Sequence, residues 1–371
     1  MLGSLPKLFD KNFVIGFYLP TLLALIATAW AFPNLTVLDS VRSLSVSEKK
    51  LEDITYLAVI VWVIAVLMMS TNYTQYRLLE GYLPPVSWLI VLRRWHRWRF
   101  HRLACQYDAL TSDWEKAGKG FPQRKQDRAS KMEKRLVTYY PRKDKEVLPT
   151  RFGNTILAFE RYPFEVYGVD SVPVWPRLAS VIPTEFAGLL DDAKAQVDCF
   201  VTVTSLASLI VLASLAGVVY DAHWLHLPSW NSQLLHGLRV FFGPDGLRHI
   251  AIAGIGLVTA ALAYWQATAC ALAWGMLVKS AFDCYLPALI KQLGFAWPLR
   301  DSERREFWTE LNALILYERP MTADRWALAI ELAPTQEPTQ SKQTKPESTE
   351  EDSPSDSGAR CGPASRSPCR D

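Results

Sequence analysis

The side chains best suited to chemistry fall together in residues 148–185, LPTRFGNTILAFERYPFEVYGVDSVPVWPRLASVIPTE. Charges thin out here, and Pro, Gly and aromatic residues punctuate the run. Arg151, Asn154, Glu160, Arg161, Asp170 and Arg177 are its most reactive polar groups. Carboxylates mixed with guanidinium groups can build a site or a partner-binding face. The same groups can instead tie irregular backbone together through charge-assisted hydrogen bonds.

A second constellation is His223 and His226 in an HxxH pattern, with His236 and His249 further along. On a helix this spacing puts two imidazoles on one face, and a third ligand would complete a metal site. Pro228 and Gly237 interrupt the run and acids are few, so interfacial histidines among Trp224, Trp230, Phe241 and Phe242 are the competing reading. Leu234, Leu235 and Leu238 with those phenylalanines predict a short surface helix. No GxxxxGK[ST], GxSxG or HExxH pattern occurs, which disfavours P-loop, serine-hydrolase and zincin chemistry. No residue set calls for a cofactor. The six cysteines (105, 199, 270, 284, 361 and 369) are scattered without a CxxC. They read as small core residues or free tail thiols, not as a disulfide framework.

The elements that would position these groups are mostly apolar helices. The chain has 371 residues, half of them apolar, and 14 tryptophans that collect near the edges of apolar runs. A membrane-crossing helix needs about 20 apolar residues. Four windows qualify: Phe13–Phe32, Ile54–Met69 extended to Tyr73, Cys199–Tyr220 and Ile250–Val278. The last would reach about 43 Å, so it must tilt, kink or continue past the bilayer. Within the first window, Ala29-Trp30-Ala31 also fits a signal-peptidase site; cleavage there would leave three spans. None of the windows holds Asp, Glu, Lys or Arg, which argues against an ion-coupled transporter. Ala207, Ala213, Gly217, Gly254, Ala263, Ala267 and Ala271 would permit close helix packing, within the chain or between copies.

Basic residues near the spans set the orientation. The net charge is only +3, but RRWHRWRFHR packs five arginines between Arg93 and Arg102, and Lys279, Lys291, Arg300, Arg304 and Arg305 follow the fourth span. The bias places residues 74–195 and both termini in the cytoplasm. Pro84 and Pro85 break any helix leaving the second span. Val86–Leu103 then reads as a helix with Trp88, Leu92, Trp95 and Leu103 on one face. With Arg93, Arg94, Arg97, Trp98 and Arg99 around it, the segment fits the anionic membrane interface, arginine stems snorkelling. Nucleic-acid binding and a plain solvated helix are the weaker alternatives.

LPTRFGN, the following Glu160, the YG-D at Tyr167–Asp170, WPRL at Trp175–Leu178 and EGY at Glu80–Tyr82 resemble a group of uncharacterised bacterial membrane proteins over residues 70–200. The resemblance implies a bacterial membrane location and carries no activity with it.

Beyond the fourth span, Pro287 and Pro298 should break the chain. Asp301 should cap an amphipathic helix with Phe307, Leu311, Leu314 and Ile315 on one face, and a second short helix is expected at Thr322–Leu332. From Pro334 the composition is that of a disordered tail. The expected fold is mainly α: two spans in 1–73, a cytoplasmic helical domain in 74–198, two more spans in 199–280, cytoplasmic helices in 281–333, and a disordered tail in 334–371. The expected role is a non-enzymatic interaction, sensing or effector module of a bacterial inner membrane. Its partners would be the lipid bilayer and a cytoplasmic protein or a second copy. An oligomeric channel and a membrane enzyme without a recognisable motif are the alternatives.

Overall fold

A computed structural model describes residues 10–32, 51–117, 121–223, 244–298, 300–321 and 326. Every regular element among them is helical. His226 and His236, the surface helix expected near residue 238, most of the helix expected after Thr322 and the tail all lie outside the described residues.

Helix α1 spans Lys11–Ala31, α2 Leu51–Ser70 and α3 Asn72–Glu80. The first contains a π turn at Val14–Tyr18. Pro20 has no N–H to offer the Gly16 carbonyl one α-turn back, and the wider π turn relieves that mismatch. Helices α2 and α3 meet at a 53° bend. Side chains satisfy the carbonyls exposed there: Thr71 Oγ1 donates to Leu67 at 2.9 Å and Gln75 Nε2 to Met68 at 2.8 Å.

Helices α9 (Thr184–His223) and α10 (Pro244–Gln292) form the backbone of the fold. They run antiparallel, and their seam is made of small residues. Ala207, Ala263, Ala267 and Ala271 are buried, and a Cβ on Gly256 would lie 2.8 Å from Val211. Gly217 faces the His249 ring, whereas Gly254 has open space beside it. Close backbone approach gives dispersion contact where no hydrophobic drive exists between apolar surfaces. Helices α1, α9 and α10 are long and apolar enough to cross a membrane, and the bent pair α2–α3 makes a fourth. They carry large apolar side chains on the outside, among them Leu23, Val59, Leu212, Ile255 and Leu262.

Between α3 and α9 lie α4 (Ile90–Ala117), α5 (Gln123–Tyr139), α6 (Arg151–Glu160), α7 (Tyr162–Tyr167) and α8 (Ser171–Ala179). The last described helix is α11, Asp301–Tyr317. Phe152 and Phe159 of α6 and Leu178 of α8 share one core with Phe282 and Leu286 of α10 and Trp308 of α11. The 49 residues of α10, about 74 Å at 1.5 Å each, therefore run straight out of the apolar bundle into this second core.

Three expectations need correction. Pro287 does not break the chain; it sits inside α10, where buried Leu286, Leu289 and Ile290 hold the helix despite the missing hydrogen bond. The helix after the Pro84–Pro85 break starts at Ile90, not Val86, because Val86–Trp88 forms a separate 3-10 turn. Arg300, not Asp301, is the N-cap of α11, and Asp301 instead pairs with Arg304 at 2.7 Å.

Candidate functional site

The residues of EGY and LPTRFGN lie far apart in sequence and interlock in space. Gly81 has φ +90°, and a Cβ there would collide with Pro149. A Cβ on Gly153 would lie 2.3 Å from the Glu80 carbonyl oxygen, so α6 can approach the end of α3 only with glycine at that position. Thr150 caps α6: its Oγ1 accepts from the Gly153 N–H at 3.0 Å and donates to the Glu80 carbonyl at 2.9 Å. Asn154 is fully buried. Its amide donates to the Leu148 and Thr150 carbonyls, and its oxygen accepts from the Leu148 N–H at 2.8 Å. Asn154 thus closes the loop that leads into α6, with both amide hydrogens used there.

That loop forms one wall of a cavity of about 670 Å³. Leu92, Trp95, His96, Arg99 and Leu103 of α4 line the facing wall. Arg135 and Tyr139 come from α5, Thr150 and Arg151 from the start of α6, and Tyr264 from α10. Tyr264 also fixes the loop, because its hydroxyl accepts from the Phe152 N–H at 3.0 Å. Among the described residues no carboxylate lines the cavity. Arg151 stacks over the Tyr139 ring at 4.6 Å and Arg99 over the Trp95 ring at 5.3 Å. Stacking occupies the guanidinium faces and leaves the N–H edges available. Burial, then the nearby Arg99 and Arg151 charges, push His96 down to about 4, so its ring is neutral at physiological pH.

The six polar residues singled out in 148–185 do not converge on one point. Arg151 faces the cavity. Arg161 pairs with Glu146 at 3.2 Å. The exposed Arg177 turns back to the Pro173 carbonyl of its own helix at 3.0 Å. Asp170 is the N-cap residue of α8 without a capping side-chain bond. Glu160 lies on another face, beside Trp175 and Trp274, in a groove of about 220 Å³. Burial and the neighbouring Glu80 charge push its carboxyl up to about 7, against the opposing pull of Arg77 and Arg161.

The basic aromatic segment divides in the same way. Trp88, Arg94 and Trp98 are exposed. Arg93 and Arg97 reach inward to the loop before α6, Arg93 Nε donating to the Val147 carbonyl at 3.1 Å and Arg97 Nη2 to the Lys145 carbonyl at 3.4 Å. Trp95 and Arg99 line the cavity. Family models, curated proteins and solved structures were all compared with this chain, and none matches it.

One group was missed because it sits at the very edge of an apolar window. Asp198 is 5% exposed. Its carboxylate accepts from Asn72 at 3.0 Å, from the Tyr76 hydroxyl at 2.8 Å and from Lys194 at 2.8 Å. Its Cβ packs 3.3 Å from the position a Cβ would take on Gly16, inside the π turn of α1. The carboxylate joins α1, α3 and α9 at one level. The only sequence signal was the acid ending the charged half of α9, with Lys194 one turn before it. By contrast, the Thr202, Thr204 and Ser214 hydroxyls all bond back to the carbonyl four residues earlier. Among the described residues no three metal-ligating side chains gather. The His249 ring lies 6.0 Å from the Phe32 ring, tilted by 37°, at the far end of the bundle.

Proposed function

We propose that this is a multi-span protein of a bacterial cytoplasmic membrane that works as a non-enzymatic interaction, sensing or effector module. The middle region and both termini face the cytoplasm. The observation that carries this reading is the continuity of α10. Its first part, up to Trp265, turns large apolar side chains outward, as a lipid-facing helix does. From Tyr264 onward one side is covered by α6, α7 and α8. The bilayer-facing stretch from Gly246 to Tyr264 is then about 27 Å long, close to one hydrocarbon thickness. Exposed Trp30 and Tyr56 mark one rim of the apolar surface, and exposed Tyr73, Trp88 and Trp265 mark the other.

In this arrangement α9 and α10 run from the apolar bundle into the second core, so a load on the spans is felt by the cytoplasmic helices. Lys11 pairs with Asp192 at 2.8 Å at one end of the bundle, and Arg248 donates to the Ala31 carbonyl at 2.7 Å at the other. Both bonds support retaining α1 as a span. The likeness of EGY, LPTRFGN and WPRL to bacterial membrane proteins fits the same reading, since these pieces assemble around α10.

Photo-crosslinking residues at Arg128, Arg177 and Glu185, all exposed, test the proposal in living cells. Discrete crosslinked species from these sites, and not from lipid-facing Leu257, are expected. Equal smears or silence from every middle-region site would remove its basis.

A further inference from the structure

The geometry points to the cavity between α4, α5 and the start of α6 as a binding site for the phosphate headgroup of an anionic membrane lipid. This rests on the seating of α10 and α4 at a bilayer proposed above. Arginines from three different helices, Arg99, Arg135 and Arg151, line one space, and among the described residues no carboxylate lines it. Among the described residues none of the three is in an ion pair with a carboxylate, whereas Arg77, Arg142, Arg161, Arg300 and Arg304 each are. Arg99 and Arg151, unneutralised and held by stacking on aromatic rings, are preorganised for phosphate, and Arg135 adds a third charge. Tyr139 lines the same space, whereas the Thr150 hydroxyl proton is already used on the Glu80 carbonyl.

Much of the remaining lining is apolar, Leu92, Trp95, Leu103 and Pro149, beside His96, Tyr140 and Tyr264. A small inorganic anion has no use for that wall, but the glycerol and upper acyl region of a lipid does. The site also opens in the right place. The helix that supplies Leu92 and Arg99 begins with exposed Leu89, Ile90 and Val91, the last 79% exposed. Tyr264, at its base, immediately precedes lipid-facing Trp265. Basic pockets between helices at a cytoplasmic membrane surface take lipid headgroups by this combination of charge and depth. The volume, about 670 Å³, falls within the range of small-molecule sites.

The test uses the full-length protein in nanodiscs of phosphatidylcholine with or without phosphatidylglycerol, read by retained lipid after detergent exchange. Wild type should retain phosphatidylglycerol. Arg99→Gln, Arg135→Gln and Arg151→Gln should each weaken retention about fivefold, and Leu103→Trp, which fills the cavity without removing a charge, should abolish it. Arg102→Gln and Lys116→Gln, on α4 but outside the cavity, should leave it unchanged. Equal losses in these two controls would mean only diffuse surface charge and would overturn the proposal.

Nuclear magnetic resonance of His96 gives an independent readout. Bound headgroup should raise its pKa from about 4, because an anion favours the imidazolium. A shift produced by inorganic phosphate in pure phosphatidylcholine discs, and none by phosphatidylglycerol, would assign the site to a soluble anion and overturn the lipid. Quenching of Trp88 by brominated phosphatidylcholine reports membrane seating separately. Quenching without retained phosphatidylglycerol would sink the cavity proposal alone, and absence of quenching would sink the seating on which it rests.

Discussion

At the scale of single residues, two carboxylates do different work. Glu160 is held where ionising is costly. Its folded value, about 7, lies above the ordinary 4.5, so the folded state keeps a proton that the unfolded chain has released. Its contribution to stability is therefore full below about pH 4.5 and falls away as pH rises through about 7. Glu160→Gln, which copies the protonated form, should raise the unfolding temperature at pH 8 and match wild type at pH 5, as measured by thermal scans in detergent. A gap that does not vary with pH would exclude this account. Asp198 acts through hydrogen bonds, because three donors converge on it. Asp198→Ala strands the buried Tyr76 hydroxyl and Asn72 amide, at a cost of about 3 kcal/mol. Tyr76→Phe, which removes a donor but leaves the acceptor satisfied by two others, should cost much less. A thermal scan of the two variants decides it, and equal losses would show that Asp198 is not the centre of the junction.

At the scale of elements, glycines set the distances. Gly275 lies under the Phe159 ring, where a Cβ would come within 2.4 Å of a ring carbon. Gly275→Ala should destabilise by about 1–3 kcal/mol through overpacking, and Phe159→Leu in the same chain should recover part of that loss. If the single variant unfolds at the wild-type temperature, α6 does not dock on α10 as described.

The elements also explain what a reader of the sequence can and cannot find. The apolar windows were plain, because twenty uncharged residues have few other uses. Thr150 and Asn154 are both residue types that can open a helix, and only the structure assigns the cap to Thr150. The end of the fourth apolar helix was not legible, because a helix leaving lipid for a protein core stays apolar on both sides of the crossing. Nor was the path through Pro287, where tertiary packing outweighs a local preference. The cavity was invisible for a different reason. Leu92, Trp95 and Leu103 form a stripe at helical spacing, and nothing in a stripe says whether lipid, solvent or Arg151 lies opposite.

At the scale of the molecule, the longest member of a bundle of apolar helices, α10, runs on into a second core. Basic residues sit at the junction of the two. The sequence singled out α4 and 148–185 but not which of their residues share a cavity. Arg99 and Arg151 are 52 residues apart and line one space, with Gly81 and Gly153 letting α6 press against the end of α3.

The central claim is that this second core lies on the cytoplasmic side of a membrane, and the native thiols allow a direct test. Cys105 is exposed on α4. With the other five cysteines replaced by serine, a membrane-impermeant maleimide should leave Cys105 untouched in intact cells and label it in inverted membrane vesicles. Labelling of Cys105 in intact cells, with the vesicles protected, would contradict the account.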